Sequence, residues 1–313
     1  MAEEPVRPAQ AADPVAAVIA AHAASTPLAL TTSGTSGTAR TVVRTTASWW
    51  DSFDAYADLS GVGPGARLWL PGPLRSTMNL FAAVHARVAG ATVVEDPAAA
   101  THACLTPTAL DRRGGELARG TRVVVAGAAL APGLYERAVA AGLAVRSYYG
   151  AAELSFVGCG PHAEDLRAFP GVTVEIRDGV IWVASPYLSL GLGPWATVGD
   201  LGRLDGERLI VLGRPGTVTT AGATVALAEV EAALRRAARG QVAVVGLPHP
   251  GLGEVVAAAF TAPEDAETLR RVARDQLPAT HRPRIWRRLD ALPTTAGGKV
   301  DDAAVRALLD GSR

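Results

Sequence analysis

The sequence predicts an α/β protein continued by a smaller α+β unit, and three observations carry that prediction. From Ala66 onward, short apolar runs alternate with helical patterns, as strands and crossover helices do in a mostly parallel sheet. Between Asp178 and Val211 the runs shorten and are split by turns, which marks a small β region. After Arg214-Pro215-Gly216, a plausible hinge, helix and strand patterns resume around a second apolar set. We therefore expect an N-terminal arm at 1–26, a large domain at 27–213 and a small terminal domain at 214–313.

Residues 1–26 are rich in alanine and proline, only Val15 to Ala24 suit a short helix, and a frayed or loosely docked arm is expected. The large domain then offers a strand at Leu68-Trp69-Leu70, a helix over Met78 to Val88, and a strand from Ala91 to Val94. A helix from Ala109, a strand Val123 to Val125, a helix from Pro132 and a strand Ala144 to Ser147 follow. Tyr148 to Glu153 come directly after that strand, where ligands gather in parallel sheets. Val180 to Val183 and Arg208 to Val211 read as short strands. In the terminal unit, Val230, Ala233 and Leu234 share one face of a helix over Ala228 to Arg236, with Glu231 and Arg235 as an i,i+4 pair on its solvent face. Strands at Val242 to Val245 and Glu254 to Phe260, a helix at Leu269 to Leu277 stopped by Pro278, and a strand at Ile285 to Leu289 complete it.

Composition narrows the function. With 49% hydrophobic and 19% charged residues the chain is globular. Thirty basic residues balance thirty acidic ones, so no net field favours nucleic acid or an anionic membrane. Cys104 and Cys159 lack paired spacing and read as buried or incidental thiols rather than a disulfide framework or a zinc site. No apolar run approaches a membrane span, and Met1-Ala2-Glu3-Glu4 lacks the basic start of a signal peptide, so a cytoplasmic location is expected.

Five segments hold the candidate chemistry. Thr31-Thr32-Ser33-Gly34-Thr35-Ser36-Gly37-Thr38-Ala39-Arg40 combines six hydroxyl side chains with two glycines. Glycine permits close backbone approach, and hydroxyls with exposed N–H groups bond phosphate oxygens. It is not a Walker loop, lacking the Gly-Lys-Ser/Thr ending, and alone it is equally an ordinary loop. The second segment, Ser147-Tyr148-Tyr149-Gly150-Ala151-Ala152-Glu153, is by itself compatible with a turn. The third is Thr197-Val198-Gly199-Asp200 with Gly213-Arg214, readable as a hairpin turn and a surface loop. The fourth runs from Gly222-Ala223-Thr224-Val225 into Glu229-Val230-Glu231, and the fifth is Pro293-Thr294-Thr295-Ala296-Gly297-Gly298-Lys299, which contains the chain's only lysine.

In this order the five segments resemble the motif series of the adenylate-forming (ANL) superfamily of acyl- and aryl-CoA synthetases, nonribosomal adenylation domains and luciferases, from about residue 28 to the end. The resemblance implies an ANL-type large domain, truncated because the phosphate loop starts far earlier than in most relatives, followed by a small mobile lid domain. Short o-succinylbenzoate-CoA ligases show a similar abbreviation. It also implies an ATP- and Mg²⁺-dependent ligase that turns a carboxylic acid into its acyl-adenylate and then a coenzyme A thioester. Thr32, Ser33, Gly34, Thr35, Ser36 and Gly37 would cover the outer phosphates. Tyr149 would stack on adenine, flanked by Tyr148, Gly150 and Ala151, and Glu153 would hold the metal. Asp200 would accept the ribose hydroxyls, and Arg214 would reach ribose or phosphate. Lys299 would bridge the substrate carboxylate and the α-phosphate on arrival of the mobile domain. Gly222 would line the pantetheine tunnel. Gly127, Ala128 and Ala129 resemble an acyl-pocket wall, with Leu154 beyond the glutamate, and their small apolar side chains imply an apolar or aromatic acid.

The chain departs from the family at four places. Ala152 stands where Thr or Ser usually meets the α-phosphate, Arg40 replaces a lysine, Pro215-Gly216-Thr217 occupy the place of the hinge aspartates, and Asp301-Asp302 follow Lys299 instead of an arginine. The aromatic-gate histidine has no counterpart in Pro71 to Phe81, and His85 and His102 read as core or surface residues. Two alternatives stay open: transfer to the phosphopantetheine of a carrier protein, and a catalytically degenerate nucleotide-binding scaffold. Sheet surface that relatives cover with an additional subdomain is expected to be buried in a homodimer.

Overall fold

The computed structural model describes residues 4–32, 40–213, 216–220, 223–249 and 253–311. Helix α1 (Pro14–Ala23) starts at Asp13, whose carboxylate accepts the Ala16 N–H at 3.0 Å, with Pro14 at the first helical position. A hairpin of β1 (Leu28–Thr32) and β2 (Arg40–Arg44) follows, then helices α2 (Ala47–Trp50) and α3 (Phe53–Ser60), the latter stopped by left-handed Gly61. Next come β3 (Arg67–Trp69), α4 (Thr77–Val88), β4 (Thr92–Val94), β5 (His102–Leu105) and α5 (Pro107–Arg113). β6 (Arg122–Val125), α6 (Pro132–Ala140), β7 (Ala144–Ala151), β8 (Ser155–Gly160) and β9 (Arg167–Ala168) complete the first sheet. Its order is β4-β3-β5-β6-β7-β8-β9, parallel from β4 to β7 and antiparallel beyond. The expected mixed α/β architecture is thus present, and near-continuous apolar strands such as Val123-Val124-Val125 are covered on both faces.

The β region is an antiparallel sheet of β10 (Thr173–Arg177), β11 (Val180–Ala184), β12 (Leu201–Asp205) and β13 (Arg208–Gly213). Beyond residue 213 lie β14 (Thr217–Thr220), β15 (Ala223–Ala226), α7 (Leu227–Ala237), β16 (Val242–His249), β17 (Gly253–Phe260), α8 (Asp265–Gln276), β18 (Ile285–Arg288) and α9 (Asp302–Asp310). Alternation along β16 explains this lobe. Val242 and Val244 face Val230, Leu234 and Leu269 of α7 and α8, whereas Ala243, Val245 and Leu247 face Val305 and Leu309 of α9. Among the described residues no helix is long and apolar enough to cross a membrane.

Three expectations are corrected. The N-terminal segment is docked: Val18 and Ala21 are buried, the Val6 N–H donates to the Pro27 carbonyl, and the Ala29 N–H donates to the Val6 carbonyl. Small side chains let α1 approach α4 closely, so an alanine-rich stretch buries area without a strong apolar stripe. The strand expected to end at Ser147 continues to Ala151, because β8 folds back and supplies its hydrogen bonds. Glu231 and Arg235 do pair, but half-buried rather than in solvent, and the other carboxylate oxygen of Glu231 accepts the Val244 N–H at 3.1 Å.

His85 is 2% exposed, enclosed by the rings of Phe53, Tyr56 and Phe81. Burial pushes its imidazole down to about 4, against the smaller opposing pulls of the Phe53 backbone and the Asp54 carboxylate. The unfolded chain therefore takes up a proton near pH 6.5 that the folded chain refuses until about pH 4. Stability present above pH 6.5 is lost as pH falls through that window, by up to about 3 kcal/mol. Urea unfolding at pH 7 and pH 4.5 should show the loss in the parent, and His85→Phe should remove most of the difference.

Candidate active site

Several of the predicted residues lie at the carboxyl ends of the parallel strands. β5 delivers Thr106, β6 delivers Ala126 and Gly127, and β7 carries Tyr148, Tyr149, Gly150 and Ala151 before the turn to Glu153. Gly127 has φ +84° and opens a turn on which Ala128 is exposed and Ala129 half-buried. At Tyr149/Gly150 the register against β8 slips by one residue. Gly150 is required there, since a Cβ would lie 2.0 Å from the Ser155 carbonyl oxygen. Ahead of the bulge, strand alternation sends the two tyrosines to opposite faces. The Tyr148 ring packs on Phe156, centroid to centroid 4.7 Å, and on Tyr56, and burial pushes its phenol well above the usual tyrosine range. Tyr149 points the other way, and its hydroxyl donates to Asp200 Oδ2 at 2.7 Å.

Asp200 is held from behind. Gly199 takes φ +80°, its N–H donates to Thr197 Oγ1 at 2.9 Å, and the Asp200 carbonyl accepts the Ile181 N–H at 2.9 Å. The Thr-Val-Gly-Asp segment is therefore a self-bonded turn that fixes one carboxylate against one phenol. Glu153 is half-buried on the turn closed by the Leu154 N–H donating to the Ala151 carbonyl, and its own carbonyl accepts the Ser189 N–H at 2.9 Å.

Lys299 reaches Gly127 from the terminal lobe. A bridge between Thr294 and Val300 closes its turn, the Thr295 N–H donates to the Lys299 carbonyl at 2.7 Å, and Gly298 takes φ +78°. A Cβ placed on Gly127 would lie 3.9 Å from Lys299 Cε, 3.7 Å from Met78 Sδ and 3.5 Å from Thr106 Cγ2. The lysine stem thus enters a notch made by Met78, Thr106 and Gly127. The Arg112 guanidinium adds a hydrogen bond to the Leu292 carbonyl across the same seam, at 3.3 Å.

Other expected residues are placed differently. Leu154 is 0% exposed among Phe156, Val157 and Phe169, so it belongs to the core and forms no pocket wall. Thr32 is the last residue of β1, paired with Arg40 across the hairpin. Ser33, Gly34, Thr35, Ser36 and Gly37, together with Arg214 and Gly222, lie outside the described residues. A cavity of about 240 Å³ between the lobes, lined by Asp111, Arg137, Arg239 and Glu264, shares no residue with the cluster. Reading the sequence missed Thr106 and Arg44. Thr106 was accessible through Thr-Pro at a helix start, where its hydroxyl caps the Ala109 N–H at 3.2 Å. Arg44 carried no such signal.

Known proteins resemble this chain over most of its length. The profile of the AMP-binding enzyme C-terminal domain matches residues 229–299. A probable 2-succinylbenzoate–CoA ligase of Mycobacterium tuberculosis is 32% identical over 323 residues, covering 89% of this chain and 83% of the relative. The uncharacterized acyl–CoA ligase YhfT of Bacillus subtilis is 29% identical over 328 residues, covering 90% of this chain and 68% of the relative. In fold, the chain resembles an E. coli MenE variant with bound OSB-AMS, with TM-score 0.79 at 22% identity, over 92% of this chain and 70% of that one.

Proposed function

We propose that this chain, which belongs to the adenylate-forming (ANL) superfamily of AMP-forming acid–thiol ligases, activates an apolar or aromatic carboxylic acid with ATP and passes the acyl group to coenzyme A. A carboxylate oxygen attacks the α-phosphorus, the bond to the β-phosphate oxygen breaks, and pyrophosphate leaves. The thiol sulfur then attacks the acyl carbon and AMP leaves with the electron pair of the broken C–O bond. The observation that carries the proposal is the lysine stem from the terminal lobe meeting Gly127 at the strand ends that also present Glu153 and Tyr149, the latter bonded to Asp200.

In this proposal the chain divides at residue 214 into an AMP-binding large domain and a lid. Tyr149 offers a ring face to adenine while its hydroxyl orients Asp200, whose carboxylate accepts the ribose hydroxyls. Lys299 stabilises charge developing between carboxylate and α-phosphate. Glu153 fits a magnesium ion, which is held by one or two carboxylates plus substrate phosphates. Among the described residues no group of three or more His, Cys, Asp or Glu forms an all-protein metal cage, so phosphate oxygens would supply the remaining ligands. When bound, the ion would neutralise charge on the departing pyrophosphate. Gly127 and Ala129 bound the acyl side, and their small size leaves room for a ring.

Acid-dependent exchange of labelled pyrophosphate into ATP, run over a panel of aliphatic and aromatic acids, tests the first step. No exchange with any acid would leave only a nucleotide-binding scaffold. AMP release that requires coenzyme A supports the acceptor named here, and release only with a pantetheinylated carrier protein replaces it. Val88 and Val93, 47% and 52% exposed at the end of α4 and on edge strand β4, support self-association. Sedimentation at micromolar concentration should give a homodimer, and a monomer removes that part of the proposal.

A further inference from the structure

We propose that Arg44 is a positioning residue of this site: its buried guanidinium clamps the Ala152–Glu153 backbone and thereby aims the Glu153 carboxylate. The part played by Glu153 rests on the function proposed above; the clamp itself does not. Arg44 ends β2, the strand that leaves the hydroxyl- and glycine-rich segment, and is 1% exposed. Val42 shares that inward face of β2 and is buried in the ordinary way. An apolar side chain would fill the Arg44 position without the desolvation cost of a guanidinium, so the charge has to be explained by what it bonds.

All three guanidinium nitrogens are engaged. Nε donates to Ser48 Oγ at 3.0 Å, Nη1 donates to the Ala152 carbonyl at 3.1 Å, and Nη2 donates to the Tyr187 carbonyl. Ser48 Oγ in turn donates to the Thr45 carbonyl at 2.7 Å, and the Trp49 ring centroid lies 5.8 Å from Arg44 Cζ. Two backbone hydrogen bonds run parallel to this fork: the Ser189 N–H donates to the Glu153 carbonyl at 2.9 Å, and the Leu190 N–H donates to the Val43 carbonyl at 2.8 Å. Residues 43–48, 152–153 and 187–190 are therefore tied into one block. Lysine could supply the charge at this place but not a planar fork bonding two carbonyls and a hydroxyl.

The clamp grips Ala152, the position that carries no hydroxyl of its own, and the next residue bears the carboxylate. Burial pushes the guanidinium down to about 10, and the Glu153 carboxylate opposes that shift. Arg44 thus supplies a mechanical hold one residue before Glu153. It touches no reacting atom.

Two measurements on Arg44→Lys and Arg44→Met test the inference. Amide hydrogen exchange should quicken in peptides covering 150–156 and 186–192 while β16 and β17 stay protected. In pyrophosphate exchange, the Mg²⁺ concentration for half-saturation should rise about 10-fold or more, the scale seen when a partner behind a metal ligand is lost, with KM for the acid changed by less than about two-fold. A lowered Tm with the parent's Mg²⁺ dependence and local protection would make Arg44 a purely structural residue and overturn the inference. If the parent protein exchanges pyrophosphate with no acid, the function proposed above fails while hydrogen exchange still decides the clamp. Should both variants fail to fold, Ser48→Ala, which removes the hydroxyl that accepts from Arg44 Nε, decides: exchange in the 150–156 peptide should quicken, and protection at the parent's level there overturns the clamp.

Discussion

Replacing Lys299 with alanine should lower acid-dependent pyrophosphate exchange about 100- to 1,000-fold, the scale of losing one preorganised charge at a reacting centre. ATP binding should stay within about two-fold of the parent, since the residue acts on the transition state rather than on the bound nucleotide. The expectation follows from how the lysine is presented. Its backbone is pinned by the Thr295 bond and the Thr294–Val300 bridge, and its stem is threaded past Gly127 and Met78 instead of lying on the surface. As the chain's only lysine, it has no neighbour of its own kind to substitute for it. Lys299→Arg should recover little activity, because a planar guanidinium does not fit a notch that closes around a linear stem. Isotope exchange with calorimetric ATP binding separates the two effects, and exchange at the parent rate in Lys299→Ala would remove the lysine from the chemistry.

Much of this site was legible because its chemistry depends on residue types at fixed offsets within single turns. Gly199-Asp200, Gly298-Lys299 and Tyr149-Gly150 each place a functional group beside the glycine that lets the backbone present it, so local sequence carries both halves of the information. The crossover pattern from β3 to β7 was legible for the same reason, since each strand and helix announces its own period. What escaped depends on partners distant in sequence. Arg44 looks like any charged residue until Ala152 and Tyr187 are brought to it from 108 and 143 residues away. Leu154 was read as a pocket wall because it follows Glu153, yet the turn at Ala151 sends it inward to Phe156 and Phe169. Helices α2 and α3 gave no clear period. Trp49, Phe53 and Tyr56 all bury their rings edge-on against Phe81, a cluster gathered around one ring rather than a single apolar stripe.

Gly298→Val should separate the two half-reactions. At Gly298 a Cβ would meet Thr106 Cγ2 at 3.0 Å and Oγ1 at 3.2 Å, and the left-handed φ of +78° already opposes any side chain there. A valine would bear about 1–2 kcal/mol of backbone strain and a steric cost on the order of 1–3 kcal/mol against a threonine that cannot easily turn aside. Thr106 is 6% exposed and its hydroxyl is committed to capping α5. The sum opposes docking of the lysine turn by about 3 kcal/mol, which corresponds to adenylation slowed on the order of 100-fold. Thioester formation from a supplied acyl-adenylate does not require Lys299 in this notch and should be nearly unaffected. Adding Thr106→Ala removes the opposing atoms but leaves the strain, so it should recover about 10-fold of the loss, at a cost in stability of about 1 kcal/mol from the missing cap. Equal loss of both half-reactions in Gly298→Val, or no recovery in the double variant, would mean that the contact between Thr106 and the lysine turn does not govern closure.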